Sequence, residues 1–245
     1  MRCMKSAKAV AAVAALLSFA AFADLPSGYT QLEWIEAGRN QYIDTGVKAK
    51  NSYVITADMR LLSNEQPRQV VFGGANNNGL SESAVGVTTR ATSDDSPYHI
   101  RCHGSKYASA TTGRVLVSYK AHKHLGQRAV WKLNQGSTSV ARTAIFTLNG
   151  YGPDNTASAF SRTATTSTNN IYICWAGGPS GGSTSFAPAA MVLYSFEILS
   201  GSTYLRKMVP AMRDSDGMVG MFDTVGEVFY PNLGSKPFVA GPRVS

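Results

Sequence analysis

Tyr53-Val54-Ile55-Thr56-Ala57-Asp58-Met59 puts Tyr53, Ile55, Ala57 and Met59 on one face of an extended strand, because successive side chains of a strand point to opposite sides. Val115, Val117 and Tyr119 repeat the pattern. The same period of two, bounded by Gly, Asn, Ser and Pro, marks strands at Gln69 to Gly73, Ala84 to Thr88, Arg128 to Leu133, Thr143 to Leu148 and Asn170 to Trp175. Further strands fall at Ala190 to Leu199, Tyr204 to Val209, Met218 to Phe222 and Glu227 to Tyr230. No amphipathic helix is legible after the first two dozen residues. About a dozen short strands with turn residues between them predict an all-β sandwich of two antiparallel sheets rather than a parallel α/β fold.

The turns have mechanisms of their own. Asn149-Gly150 supplies two positions able to take positive φ, as a type I′ hairpin turn needs. Ser200-Gly201-Ser202 plays the same part near the C-terminus. Gly152 to Asn169 and Gly177 to Ser185 read as irregular loops rather than domain linkers, since the strand pattern resumes without a second core.

The N-terminus is a different object. Arg2, Lys5 and Lys8 precede an apolar run from Ala9 to Phe22, and Ala21-Phe22-Ala23 offers small residues at both recognition positions of a signal peptidase. Cleavage is expected after Ala23, so residues 1–23 are a signal peptide and residues 24–245 one mature domain. The run is short of the roughly 20 residues that a bilayer span needs, and Cys3 lies before it, where it cannot serve as a lipoprotein cysteine. The chain is therefore expected to be secreted, periplasmic or held at the cell surface, with no membrane span after cleavage.

The full chain has 245 residues and a net charge of +8, and three of its 23 basic residues lie in the signal. The mature chain is mildly basic, with no dense Lys/Arg cluster interleaved with aromatics, so no nucleic-acid partner is expected. Export permits oxidation. A Cys102–Cys174 disulfide would close a loop of about 70 residues and contribute roughly 4 kcal/mol; two separate buried thiols behaving as small apolar residues are the alternative.

Leu25-Pro26-Ser27-Gly28-Tyr29-Thr30-Gln31-Leu32-Glu33-Trp34-Ile35-Glu36, with Gln41-Tyr42-Ile43-Asp44-Thr45-Gly46-Val47, resembles the start of concanavalin A-like (laminin-G-like) domains of secreted bacterial and phage-associated proteins. The block from Ala189 to Ile198, then Leu205 to Ala211, Gly217 to Asp223 and Phe229-Tyr230-Pro231-Asn232, looks like the closing half of the same family. The middle, from about Asn76 to Asn169, shares only its strand rhythm. The resemblance implies a jelly-roll sandwich whose first and last strands lie side by side. It does not choose among lectin, adhesin, accessory domain and glycosidase.

Chemistry is written less plainly. Glycoside hydrolysis needs two carboxylates facing each other across a cleft, and the hydrolases of this fold carry them on a Glu-x-Asp-x-x-Glu strand that has no counterpart here. Glu33 with Glu36, Asp214 with Asp216, and Asp223 with Glu227 read instead as solvated or turn-capping acids. His99, Cys102 and His103, with His122 and His124, include zinc-type donors but match no finger or ribbon spacing. Calcium is the cofactor the resemblance admits, and Asp44, Asp94, Asp95 and Asp154 are the candidate ligands, with Asp58 and Asn155 as further contributors.

Sugar recognition asks for an aromatic ring to stack on and amides or acids for the hydroxyls. Trp175 is the candidate platform because Gly177-Gly178 follows it, and Asn76, Asn77 and Asn78 are the candidate amides. Tyr42, Phe72, Phe196, Phe222 and Phe229 are assigned to the core. The function expected is a non-catalytic binding module for a glycan or cell-surface polysaccharide. A structural or adhesive protein with a protein partner is the alternative, and a glycoside hydrolase comes third.

Overall fold

The computed structural model of the protein describes residues 25–38, 40–50, 52–62, 69–74, 85–90, 99–103, 114–117, 125–134, 145–148, 155–156, 166–175 and 187–245. For 85–90, 99–103, 114–117, 145–148, 155–156, 166–168 and 187–188 that description is of the backbone and its pairing. The signal segment, residues 1–23, lies outside the described residues.

Among the described residues the structure is all-β, with no helix. The strands are β1 (Tyr29–Gln31), β2 (Ile35–Ala37), β3 (Ile43–Lys50), β4 (Tyr53–Leu61), β5 (Gln69–Gly74) and β6 (Val85–Arg90). Next come β7 (His99–His103), β8 (Arg114–Val117), β9 (Arg128–Asn134), β10 (Ile145–Leu148), β11 (Asn155–Thr156) and β12 (Thr166–Ile173). The last are β13 (Ala187–Pro188), β14 (Met191–Ser200), β15 (Thr203–Arg213), β16 (Met218–Asp223), β17 (Val228–Pro231) and β18 (Val239–Ala240). They form two sheets. The larger runs β11-β10-β9-β4-β14-β15-β16-β17, with β1, β2 and β18 attached; the smaller runs β3-β12-β5-β6-β7-β8, with β13 attached to β5. Every pairing is antiparallel except that of β13 with β5.

Alternation explains the main strands. In β4, Tyr53, Ile55, Ala57, Met59 and Leu61 are buried while the residues between them are half-exposed. In β9, Ala129, Trp131 and Leu133 do the same. The smaller sheet offers a matching floor, where Ile43, Ile173 and Phe72 stand side by side across β3, β12 and β5, at most 1% exposed. The sheets meet through these faces: the ring of Phe72 from β5 packs edge-on against Phe196 of β14 at 5.6 Å. One core draws residues from Leu32 to Phe238, and each large side chain fully buried there contributes about 1.5–3 kcal/mol.

The ends of the described chain are tied together. Val239 and Ala240 of β18 pair with Glu36 and Ile35 of β2, and Leu32 bridges to Arg243. β1 in turn pairs with β15. The last strand thus lies beside the second strand, β2, while the first, β1, lies beside β15. The turn at Ser200-Gly201 is also as expected, with Ser200 opposite Thr203 and φ of 60° at Gly201. Asn149-Gly150 lies outside the described residues, as does Gly177 to Ser185.

Two expectations need correcting. Gly152 to Asn169 is not wholly irregular, since it holds β11 and the first part of β12; its Ser/Thr/Ala composition hid the pattern because none of those residues is strongly apolar. The Cys102–Cys174 bridge is not formed. Cys174 is a free, buried thiol. Cys102 stands opposite Val87, Val87 opposite Phe72, and Phe72 opposite Ile173, the neighbour of Cys174. Three strand spacings of about 4.8 Å separate the two positions by roughly twice the Cα distance that a disulfide spans.

Candidate functional site

β3 lies at the edge of the smaller sheet, and its alternation is strict. Ile43, Thr45, Val47 and Ala49 are buried, whereas Asp44, Gly46, Lys48 and Lys50 occupy the opposite face. Thr45 is a polar residue turned inward, and it is satisfied there: its hydroxyl donates to the Ile171 carbonyl at 2.7 Å and accepts from the Val47 N–H at 3.3 Å. That interaction locks β3 to β12.

On the outward face Asp44 stands opposite Tyr172. Asn170 donates through Nδ2 to both oxygens of the Asp44 carboxylate, at 2.9 and 3.0 Å, and the Gly46 N–H donates to one of them at 2.8 Å. Asn170 Oδ1 is buried and has no hydrogen-bond partner. Tyr172 is 4% exposed. Its hydroxyl is pushed up to about 12, first by burial and then by the negative charge of Asp44 and by Tyr42.

Three aromatic rings meet beside this carboxylate. Tyr42 packs edge-on against Tyr172 at 6.1 Å and lies tilted by 31° against Trp175 at 6.2 Å. Tyr42 and Trp175 are both half-buried, whereas Tyr172 is buried. The backbone of Tyr42 is pinned from the C-terminal side: its N–H donates to Asn232 Oδ1 at 3.0 Å and its carbonyl accepts from the Leu233 N–H at 2.9 Å. Trp175 takes its place because Cys174 adopts a positive φ of 63° at the end of β12 and redirects the chain. The Cys174 thiol, enclosed by apolar side chains, is pushed well above its ordinary range by burial, so it is a packing group rather than a nucleophile.

The far side of β3 is clamped to the larger sheet. Arg206 of β15 donates from Nε to the Thr45 carbonyl at 2.9 Å, lies 3.6 Å from Asp223 and sits over the Tyr230 ring at 5.4 Å. Asp223 is fully buried and accepts the N–H groups of Lys207, Val225 and Gly226. It is a turn-capping acid, as expected, but not a solvated one. Asp214 accepts from the Thr30 hydroxyl at 2.7 Å and Asp216 pairs with Arg213 at 2.6 Å.

Of the residues singled out from the sequence, the structure brings Asp44 and Trp175 into one corner, linked by Tyr42 and Tyr172. Asn76, Asn77, Asn78, Asp94, Asp95 and Asp154 lie outside the described residues, as do His122 and His124. Asp58 belongs elsewhere, on β4, where both its oxygens accept from Arg128 at 3.0 and 2.8 Å. Among the described residues no three His, Cys, Asp or Glu groups converge on a metal position. His99, Cys102 and His103 are described only as the backbone of β7.

Sequence reasoning missed Asn170, Tyr172 and the placement of Tyr42. Tyr42 is not a core residue. The signal for it was parity: with Ile43 inward, Tyr42 and Asp44 fall together on the outer side. No helix among the described residues is long and apolar enough to cross a membrane. Set against protein-family models and against curated proteins, the chain matches none.

Proposed function

We propose that this is an exported, non-catalytic concanavalin A-like jelly-roll domain that binds a glycan at the corner formed by Tyr42, Trp175, Asp44 and Asn170. The observation that carries the reading is the contact of two half-buried aromatic rings with a third beside a carboxylate held by an amide. Aromatic faces cover the apolar face of a pyranose, and an acceptor-only carboxylate receives its hydroxyl protons. Two sheets closed on one core, with the last strand β18 paired to β2 near the start of the chain, support the jelly-roll assignment. Export rests on the charged, apolar and small-residue regions of residues 1–23. The carboxylate pattern of the hydrolases of this fold is missing from the sequence, and hence the domain is read as non-catalytic.

A glycan-array screen with and without a calcium chelator tests this reading. Binding that Trp175→Ala abolishes is the expected result; no hit under either condition overturns it, and cleavage of a polysaccharide overturns the non-catalytic part. The adhesive alternative draws on Val225 and Val228, which are 49% and 47% exposed around the turn between β16 and β17. Two valines are a small patch by the standards of assembly surfaces, so the glycan reading stands first.

A further inference from the structure

β3 is longer than its partner at one point. Lys48 pairs with Asn170 and Asp44 with Tyr172, so Thr45, Gly46 and Val47 of β3 stand against the single Ile171 of β12. The surplus bows outward at Gly46, which is exposed and has a φ of 70°, while Thr45 and Val47 stay buried on either side of it. Bulges of this kind bend a strand and re-aim what it carries, and they are over-represented next to functional sites. This one is held from three directions. The Thr45 hydroxyl donates to the Ile171 carbonyl, Arg206 Nε donates to the Thr45 carbonyl, and the Asp44 carboxylate accepts the Gly46 N–H.

The bow presents bare backbone between polar groups of both sheets. A methyl group on Gly46 would stand 3.4 Å from Arg206 Nη2 and 4.0 Å from the Tyr230 hydroxyl, and among the described residues nothing else comes within 4 Å of that point. Glycine keeps the position open. Arg206 commits Nε to the Thr45 carbonyl and Nη1 to the Leu205 carbonyl, which leaves Nη2 as the nitrogen at the opening. Its side chain is 23% exposed and Tyr230 is half-buried, so a ligand can reach both. The Asp44 carboxylate borders Gly46 from the other side. An acceptor-only group and two donors thus flank one open stretch of strand.

We infer that the opening over Gly46 is a second sugar subsite, in which Arg206 and Tyr230 together with Asp44 select an uncharged sugar by two adjacent hydroxyls. This rests on the glycan reading above and names its ligand class. One hydroxyl donates to Asp44 while its neighbour accepts from Arg206 Nη2 and the Tyr230 hydroxyl, an exchange open to a group that both donates and accepts. An acidic sugar is the poorer fit. The charge of Arg206 is already answered by the fully buried Asp223 at 3.6 Å, and Asp44 on the other side of Gly46 would repel a ligand carboxylate. Gly46 lies four residues along β3 from Tyr42, at most ~13 Å of strand. A chain of sugars can therefore lay one ring on the aromatic corner and set the next over Gly46.

The test measures binding of the purified full chain to three neutral polysaccharides, dextran, a galactan and a mannan, and to a polyuronate. At least one neutral polysaccharide is expected to bind, and the polyuronate at least ~10-fold more weakly because of the like charge at Asp44. Tyr230→Phe keeps the ring under Arg206 and removes one hydroxyl. It should weaken the neutral ligand ~3- to 10-fold, the range for one lost hydrogen bond, while the urea midpoint stays close to that of the parent. Gly46→Asn fills the opening with a residue that tolerates positive φ and should weaken binding at least as much, whereas Arg128→Gln on the other sheet leaves it unchanged. Should Gly46→Asn fold poorly, Tyr230→Phe alone decides. Equal or tighter binding of the polyuronate, or a Tyr230→Phe protein that binds the neutral ligand as the parent does, overturns the inference and leaves the glycan reading intact. Binding to none of the four also overturns it, and the array screen then decides the glycan reading separately.

Discussion

Asn170 holds both oxygens of Asp44 through one amide nitrogen, across the ladder that joins β12 to β3. A hydrogen bond to a charged group contributes about 1.5–3 kcal/mol when its partner is left unsatisfied. Asn170→Ala is therefore expected to lower stability by about 1–2 kcal/mol, since the pair is only part-buried, and to weaken glycan binding with it. Urea denaturation of the variant, with an unchanged m-value and a lower midpoint, checks the first part.

The exposed counterpart should behave differently. Arg128 and Asp58 are joined by two hydrogen bonds, but the arginine side chain is 56% exposed. Exposed pairs contribute about 0–1 kcal/mol, and stacking on Tyr194 at 3.8 Å adds about 0.5–1 kcal/mol. Arg128→Ala should cost no more than about 2 kcal/mol by the same measurement, and that modest cost should shrink in high salt.

Alkaline pH offers a readout of the aromatic corner. Tyr172 has its hydroxyl raised to about 12 in the folded protein, against about 10 in an unfolded chain. Its contribution is fully present below pH 10 and is lost as pH rises toward 12, because the unfolded chain ionises first. The loss amounts to roughly 2–3 kcal/mol at most. Stability curves of the parent and Tyr172→Phe should converge over that interval, and parallel curves would refute the placement of Tyr172.

Cys174 makes a prediction that needs no stability measurement. The native protein should have no Cys102–Cys174 bridge, so its mass without reductant should equal that of the reduced chain. A thiol reagent should label Cys174 only after denaturation, since the side chain is buried. Cys174→Ser, which sets a hydroxyl among apolar groups, should cost about 1–3 kcal/mol.

Close backbone approach can be tested at Gly74. A methyl group there would collide with the Ala49 side chain and come within 2.8 Å of the Asn170 carbonyl. Gly74→Ala should destabilise by about 1–3 kcal/mol through overpacking, and the displaced Asn170 should reduce glycan binding beyond what Arg128→Ala does.

The fold was legible in the sequence where one face of a strand is apolar and the other is not. β4 and β9 declare themselves in that way, and so do β14 and β16, whose apolar runs the pattern caught to within a residue or two. β11 and the start of β12 escaped because Asn, Thr and Ser carry no such contrast. Half of the candidate site was legible: Asp44 and Trp175 were found by residue type. Asn170 and Tyr172 were not, because their role comes from standing beside β3, a strand more than 100 residues away. A pairing over that separation leaves no local mark. Tyr42 was misread for a related reason: an aromatic beside Ile43 suggests core until parity is applied.

The joining of β18 to β2 has a consequence in time. β1 finds its partner only at residues 211–213, and β2 only at 191–193 and 239–240. At synthesis rates of about 5–20 residues per second, the first strands wait on the order of ten seconds or more for the last to emerge. Until then they are bare edges in an unfinished sheet. The middle strands, whose partners lie close by in sequence, have no such wait, so the seam that closes the domain is the part that depends on the last residues made.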